Sequence, residues 1–222
     1  MKKLLSLLSV FALAAIAAGT ASAGSIATPT GLNPGDQFRI VFLSSTTTQA
    51  TSSDLSTYDN IVSSNANGYT YGGNSPIWKA IVSNSTTNAR DHIGLLSTSL
   101  IPLYTVDGTK VSTGNLWSGS LLNQINLSIN GSTQNVSVWT GSDEQGALSY
   151  NIPNGEYHRG YSGSTAFTWI SWNDKEQSNS YNLYGISDVL SVPAAVPEPS
   201  TVMLVGLGGL AALGYSFKRK RS

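Results

Sequence analysis

The chain has 222 residues, 40% hydrophobic and 11% charged, with 12 Lys and Arg against 12 Asp and Glu and no cysteine. Half of the basic residues lie in the two terminal segments, so between Gly24 and Val196 six basic residues (Arg39, Lys79, Arg90, Lys110, Arg159, Lys175) face eleven acidic ones, a net charge of −5. Binding of nucleic acid or of an acidic polysaccharide through charge is excluded, as are disulfides and thiolate metal ligands.

Residues 1–23 have the plan of a secretory signal peptide: Lys2 and Lys3, an apolar core from Leu4 to Ala18, and Ala21-Ser22-Ala23 as a small-residue cleavage site after Ala23. The body beginning at Gly24 has about 173 residues, enough for one domain with a sizeable core. Gln37 to Leu43 is β-rich and comes after the turn signal Asn33-Pro34-Gly35-Asp36, which predicts a first strand. From Asp54 to Ala66, Leu55, Tyr58, Ile61, Val62 and Ala66 recur mostly at three- and four-residue spacing, with Ser52 or Ser53 as N-cap and Gly68 beyond the end; this predicts a helix. Ser75 to Ser83 is a strand or a short helix, between which periodicity does not decide. Asp107-Gly108 within Tyr104 to Val111, and Asn130-Gly131 within Gln124 to Thr140, are hairpin signals because these pairs supply positive φ. Strands are expected at Ala166 to Trp172 and Tyr181 to Val192, and Trp78, Trp139, Trp169 and Trp172 are expected in the core. An early helix and late strands around one core make residues 24–192 a single α+β domain.

Residues 193–200 form a linker that carries Pro197, Glu198 and Pro199; two prolines without N–H groups keep it extended and open to a protease. Residues 201–217 are uncharged and, at ~1.5 Å per residue, form a transmembrane helix of about 25 Å. The basic stop in residues 218–222, Lys218, Arg219, Lys220 and Arg221, holds the tail in the cytoplasm and leaves the body outside. This tripartite ending resembles the PEP-CTERM sorting signal of Gram-negative bacteria. The resemblance implies a membrane exosortase as processing partner, a membrane-anchored precursor exported through the inner membrane, a final place at the cell surface or outside it, and an association with exopolysaccharide and biofilm.

Between Phe38 and Val192, the order "WKAIVS", "NARD", "PLYTVDGTKV", "LWSGSL" and "SVWTGSDEQG" resembles the endostatin-like branch of the C-type lectin-like fold. That resemblance implies early helices and a twisted antiparallel sheet bearing long loops. The family's disulfide cysteines and arginine-rich heparin face are absent, so heparin binding does not carry over; nor does a histidine zinc site, His92 and His158 being the only histidines. "IPNGE" at Ile152 to Glu156 and "WND" at Trp172 to Asp174 are similar to the calcium-binding loop and strand of sugar-binding C-type lectins. By that likeness Asn154, Glu156, Asn173 and Asp174 are candidate calcium ligands, hard oxygens of the kind the ion takes, with Ile152 replacing the carboxylate that normally precedes Pro-Asn. The bland alternative is that Trp172 is a core anchor and Asn173-Asp174 a turn.

Enzyme signals are weak. "GYSGS" at Gly160 to Ser164 misses the G-x-S-x-G spacing, Asp143-Glu144 reads as an exposed turn rather than half of a glycosidase pair, His92 beside Asp91 reads as a solvated or hydrogen-bonded loop histidine, and no glycine loop cradles phosphate. The four Asn-x-Ser/Thr sequons at Asn84, Asn126, Asn130 and Asn135 reflect composition. The leading expectation is a non-enzymatic, exported surface or matrix protein without nucleic-acid partners. The second is a calcium-dependent glycan-binding lectin module, and the third a secreted hydrolase.

Overall fold

A computed structural model of the chain describes residues 24–151 and 155–194. The signal peptide with Ala21 and Ala23, Asn154, the Pro197-Glu198-Pro199 triplet, residues 201–217 and the basic stop all lie outside the described residues. The elements run β1 (Gln37–Leu43), β2 (Thr48–Gln49), α1 (Leu55–Asn65), β3 (Trp78–Ala80), α2 (Ala89–His92), β4 (Leu103–Tyr104), β5 (Lys110–Ser112), β6 (Ser137–Trp139), β7 (Tyr150–Asn151) and β8 (Glu156–Tyr161). A 3-10 turn comes next at Phe167–Trp169, then β9 (Asn173–Glu176), β10 (Ser180–Tyr181), β11 (Tyr184–Ser187) and β12 (Leu190–Ser191). The result is a sheet-rich α+β fold with few helices, and among the described residues no helix is long and apolar enough to cross a membrane.

β1 is the middle of the main sheet, whose order is β3-β11-β1-β4-β5 with β12 also pairing β1. Every residue from Phe38 to Leu43 is buried, and the strand separates two apolar clusters. Phe38, Ile40 and Phe42 enter the first with α1, Trp78, Trp139 and Leu190; Val41 and Leu43 enter the second with Ile93, Trp117, Trp169 and Tyr184. A strand covered on both faces reads as a continuous apolar run, which is why its limits fall where the sequence places them. The one charge in the run, Arg39, is buried and donates from an η nitrogen to Ile93 O at 3.0 Å. Burial lowers its pKa, and the field of Asp188 opposes that shift.

α1 starts one residue later than a serine cap implies. Asp54, with β-region φ and ψ, is the N-cap and accepts from Ser56 N at 2.9 Å, while Ser52 Oγ accepts from Asp54 N and so braces the cap from outside. Trp78–Ala80 settles the open segment as a strand paired with β11. The Asp107-Gly108 turn joins β4 to β5, with Gly108 at φ 85°. The Asn130-Gly131 turn also forms, with Gly131 N donating to Ser128 O at 2.9 Å, but its arms do not extend into a ladder: Ser137–Trp139 pairs β8 instead.

Two expectations are corrected. Ala166 to Trp172 is not a strand but a 3-10 turn and a bend. Trp169 and Ile170, adjacent in sequence, both enter the same core cluster, whereas a strand sends neighbours to opposite faces. Trp172 is 46% exposed and is no core residue, although Trp78, Trp139 and Trp169 are. The segment Tyr181 to Val192 divides into β10, β11 and β12.

Candidate functional site

The second sheet carries the chemistry. β8 is paired by β6 and β7 and, in full register, by β9: Glu156 opposite Glu176, Tyr157 opposite Lys175, His158 opposite Asp174 and Arg159 opposite Asn173. β9 is an edge strand of sequence Asn-Asp-Lys-Glu, and its charges discourage further strand pairing. Asn182 ties this sheet to the main one, its backbone carbonyl accepting from Trp139 N and its side chain donating to Ser44 O at 2.6 Å.

Alternation sends Glu156, His158, Asp174 and Glu176 to one face and Tyr157, Arg159, Asn173 and Lys175 to the other. On the first face His158 Nδ1 lies 3.0 Å from Ser171 Oγ, and its Nε2 lies 2.8 Å from Asp174 Oδ1 and 3.2 Å from Ser149 Oγ. The Asp174 contact is close but lacks the alignment of a directed hydrogen bond, so it acts as an ion pair whenever the ring is protonated. On the second face Arg159 Nε donates to Asn173 Oδ1 at 2.7 Å and an η nitrogen donates to Ser137 Oγ. Its guanidinium lies 4.5 Å from the ring centre of Trp172 and 5.1 Å from that of Tyr181. Tyr161 packs against Trp172 at 5.2 Å, and Tyr181 against Trp139 at 4.9 Å. The outcome is an ordered aromatic stack whose outer ring is open to solvent.

Of the four candidate calcium ligands, the described residues bring Glu156 and Asp174 to one face and place Asn173 on the other, its carbonyl already taken by Arg159. Among the described residues no group of three or more His, Asp or Glu is placed to hold a metal ion. Ser162 of "GYSGS" is fully buried, accepting from Val136 N at 2.8 Å and donating to Gln134 O at 2.9 Å. Asp143 closes a turn, accepting from Gln145 N and Ala147 N. His92, the last residue of α2, meets Asp59 Oδ1 at 2.9 Å and bridges α2 to α1.

A second feature lies at the β4–β5 end of the main sheet. A cleft of about 370 Å³ opens between the β4–β5 hairpin and residues 123–133, lined by Thr105, Asn123, Gln124, Asn126, Thr133 and Thr165 together with Asp107. Burial alone would raise the Asp107 carboxyl, but hydrogen bonds from Thr105 Oγ1, Thr109 N and Thr109 Oγ1 outweigh it and hold the pKa below the usual carboxylate range. Sequence reasoning missed both the stack and the cleft. The available signal was the polar strand after Trp172: a strand without an apolar face lies at an edge, and the aromatic that starts it therefore lies at the surface.

Comparison with protein families finds the PEP-CTERM protein-sorting motif at residues 195–220, directly after the last described strand and its short extension. No curated protein matches the chain. The motif marks an exported protein, anchored as a precursor and processed by an exosortase, whose final place is the cell surface or the medium beyond it.

Proposed function

We propose that the chain is a non-enzymatic component of the bacterial cell surface or extracellular matrix, associated with exopolysaccharide and delivered by its C-terminal sorting signal. The observation that carries this is the sorting motif over residues 195–220, in which Pro197, Glu198 and Pro199 precede an apolar run and a basic stop. The endostatin-like and C-type lectin-like reading of the body is part of this proposal and rests on the sequence pattern between Phe38 and Val192. The clusters at His158 and Ser162 support a structural role, since each hydroxyl and ring nitrogen there is engaged in holding strands together.

The test is made in the producing bacterium. With Pro197, Glu198 and Pro199 changed to alanine, export continues, the tail is retained, and the mature mass rises by that of the unprocessed segment. Tail removal at an unchanged rate refutes the sorting assignment. Fractionation of the wild type into cells, matrix and medium then reads the association directly, and a protein absent from the matrix fraction refutes it.

A further inference from the structure

We infer that the strip running from the polar cleft to Trp172 is a binding site for a neutral polysaccharide chain, independent of calcium; this rests on the proposed association with exopolysaccharide and names the surface that makes it. The two features are continuous. Asn126, in the cleft lining, donates from Nδ2 to Asn135 Oδ1 at 3.1 Å, and Gln124 donates to Gly163 O at 2.6 Å. Asn135 and the Tyr161 ring both press on Gly163, where an added Cβ would lie 3.0 Å from Asn135 Cγ and 2.8 Å from Tyr161 Cε1. Tyr161 in turn packs on Trp172. Cleft, amide pair, tyrosine and exposed tryptophan thus form one surface.

Its chemistry selects the ligand. A pyranose has a face of C–H groups and a rim of hydroxyls. The negative face of an aromatic ring attracts the first, and hydroxyl and carboxamide side chains, which donate and accept at once, satisfy the second. Trp172 offers 46% of its surface while Arg159 and Tyr161 hold the ring in place, so little conformational freedom is lost when a sugar stacks on it. The cleft volume of about 370 Å³ falls within the ~300–1,000 Å³ of small-molecule sites. Thr133 lies exposed in that lining, leaving its hydroxyl open to a ligand.

Charge is withheld on both sides. Arg159 is spent under the rings and on Asn173 and Ser137, and Asp107 is spent on the hydroxyls and amide of its own turn. Their hydrogen-bonding groups are engaged within the protein, and the body's excess of acidic residues, eleven against six basic, disfavours an anionic polymer, so the inferred ligand is neutral. Asn173, one of the candidate calcium ligands, contributes to the stack by accepting from Arg159, a role that needs no metal.

The full chain, as processed by its producing host, is run through native gels containing hydroxyethylcellulose, galactomannan or dextran, with alginate as the charged control and EDTA throughout. At least one neutral polymer should retard the protein and alginate should not. Trp172→Ala should weaken that binding by about tenfold, equivalent to ~1.4 kcal/mol. Trp172→Phe should keep most of it. Thr133→Val, a change at an exposed position that preserves the fold, should weaken it by a few-fold and guards against loss of structure in the alanine variant. Absence of retardation by all three neutral polymers overturns the inference, as does equal retardation by alginate, or undiminished binding by both Trp172→Ala and Thr133→Val. Failure of the site and failure of the broader function are distinguishable: a protein that stays in the matrix fraction without binding these polymers refutes the site alone. Polymer binding by a protein that never enters the matrix refutes the association alone.

Discussion

Gly160 provides the sharpest test of the packing between β8 and the 3-10 turn at Phe167–Trp169. It lies in β8 opposite Val138, and an added Cβ would stand 1.9 Å from Trp169 O, 2.6 Å from Trp169 C and 3.0 Å from Ile170 Cα. All three are backbone atoms of the 3-10 turn and its C-terminal cap, so no side-chain rotation relieves the clash. Ordinary contact requires the turn to retreat by more than about 1 Å, yet Trp169 is fully buried against Trp117 and Tyr184, and Tyr184 donates its hydroxyl to Trp169 O at 3.0 Å. Overpacking of a rigid site costs about 1–3 kcal/mol, and a clash against backbone falls at or above the upper end. The gain from replacing a strand glycine is ~0.5–1 kcal/mol and does not offset it. Gly160→Ala should therefore lose about 3 kcal/mol in urea unfolding at an unchanged m-value, a fall in Tm of roughly 6–12 °C for a domain of this size. Gly163→Ala is the control, because the atoms nearest its new Cβ belong to the Tyr161 and Asn135 side chains rather than to backbone; it should lose less than ~1.5 kcal/mol. A loss below about 1 kcal/mol for Gly160→Ala would refute the packing of Trp169 on β8.

Trp139→Ala should cost about 3–5 kcal/mol, since the ring is 1% exposed, packs on Tyr181 and donates to Asn179 O at 3.1 Å; a loss under ~1 kcal/mol by denaturant unfolding would remove it from the core. Asp107 has a folded pKa below its unfolded value of about 3.9, so its stabilising effect is present above that pH and is lost as pH falls through the folded pKa. Asp107→Asn should accordingly lower Tm near neutrality and converge with the wild type in strong acid; a constant gap across the acid range would refute the charged turn. Asp54→Ala should lower helical content and Tm through loss of the α1 cap, whereas Ser53→Ala should leave both unchanged, since the cap hydrogen bonds run through Asp54 and Ser52.

The parts of the fold legible in the sequence are those where one local signal and the tertiary environment agree. Gln37 to Leu43 is apolar because both of its faces are covered, and α1 shows its buried face as Leu55, Tyr58 and Val62 at helical spacing. Asp107-Gly108 supplies its own turn geometry and needs no distant partner. Where the signals disagree, tertiary packing wins. The run from Ala166 to Trp172 has the composition of a strand, but the side-chain-free surface of Gly160 on β8 leaves just enough room for the Trp169 carbonyl. That space belongs to a different element and leaves no mark on the local pattern, yet it lets the segment close into a helical turn.

Trp172 shows why the candidate site was harder to see than the core. Aromatic side chains dominate buried area, so Trp172 is first counted as core with Trp78, Trp139 and Trp169; four of the five tryptophans are buried, and Trp172 is the exception. The fifth differs in the strand that it begins: Asn173 to Glu176 pair with β8 at the sheet edge, and Arg159 on that neighbour rises under the indole instead of pairing with a carboxylate. Cross-strand register, rather than spacing along the chain, therefore makes this tryptophan a surface platform. The same register separates Asn173 from Asp174 by face, so the Trp-Asn-Asp run divides between an aromatic stack and a histidine contact. A ligand that needs Trp172 has no need of Asp174, and substitution at the two positions should act on different properties: binding at Trp172, and the packing of β8 against Ser149 and Ser171 through His158 at Asp174.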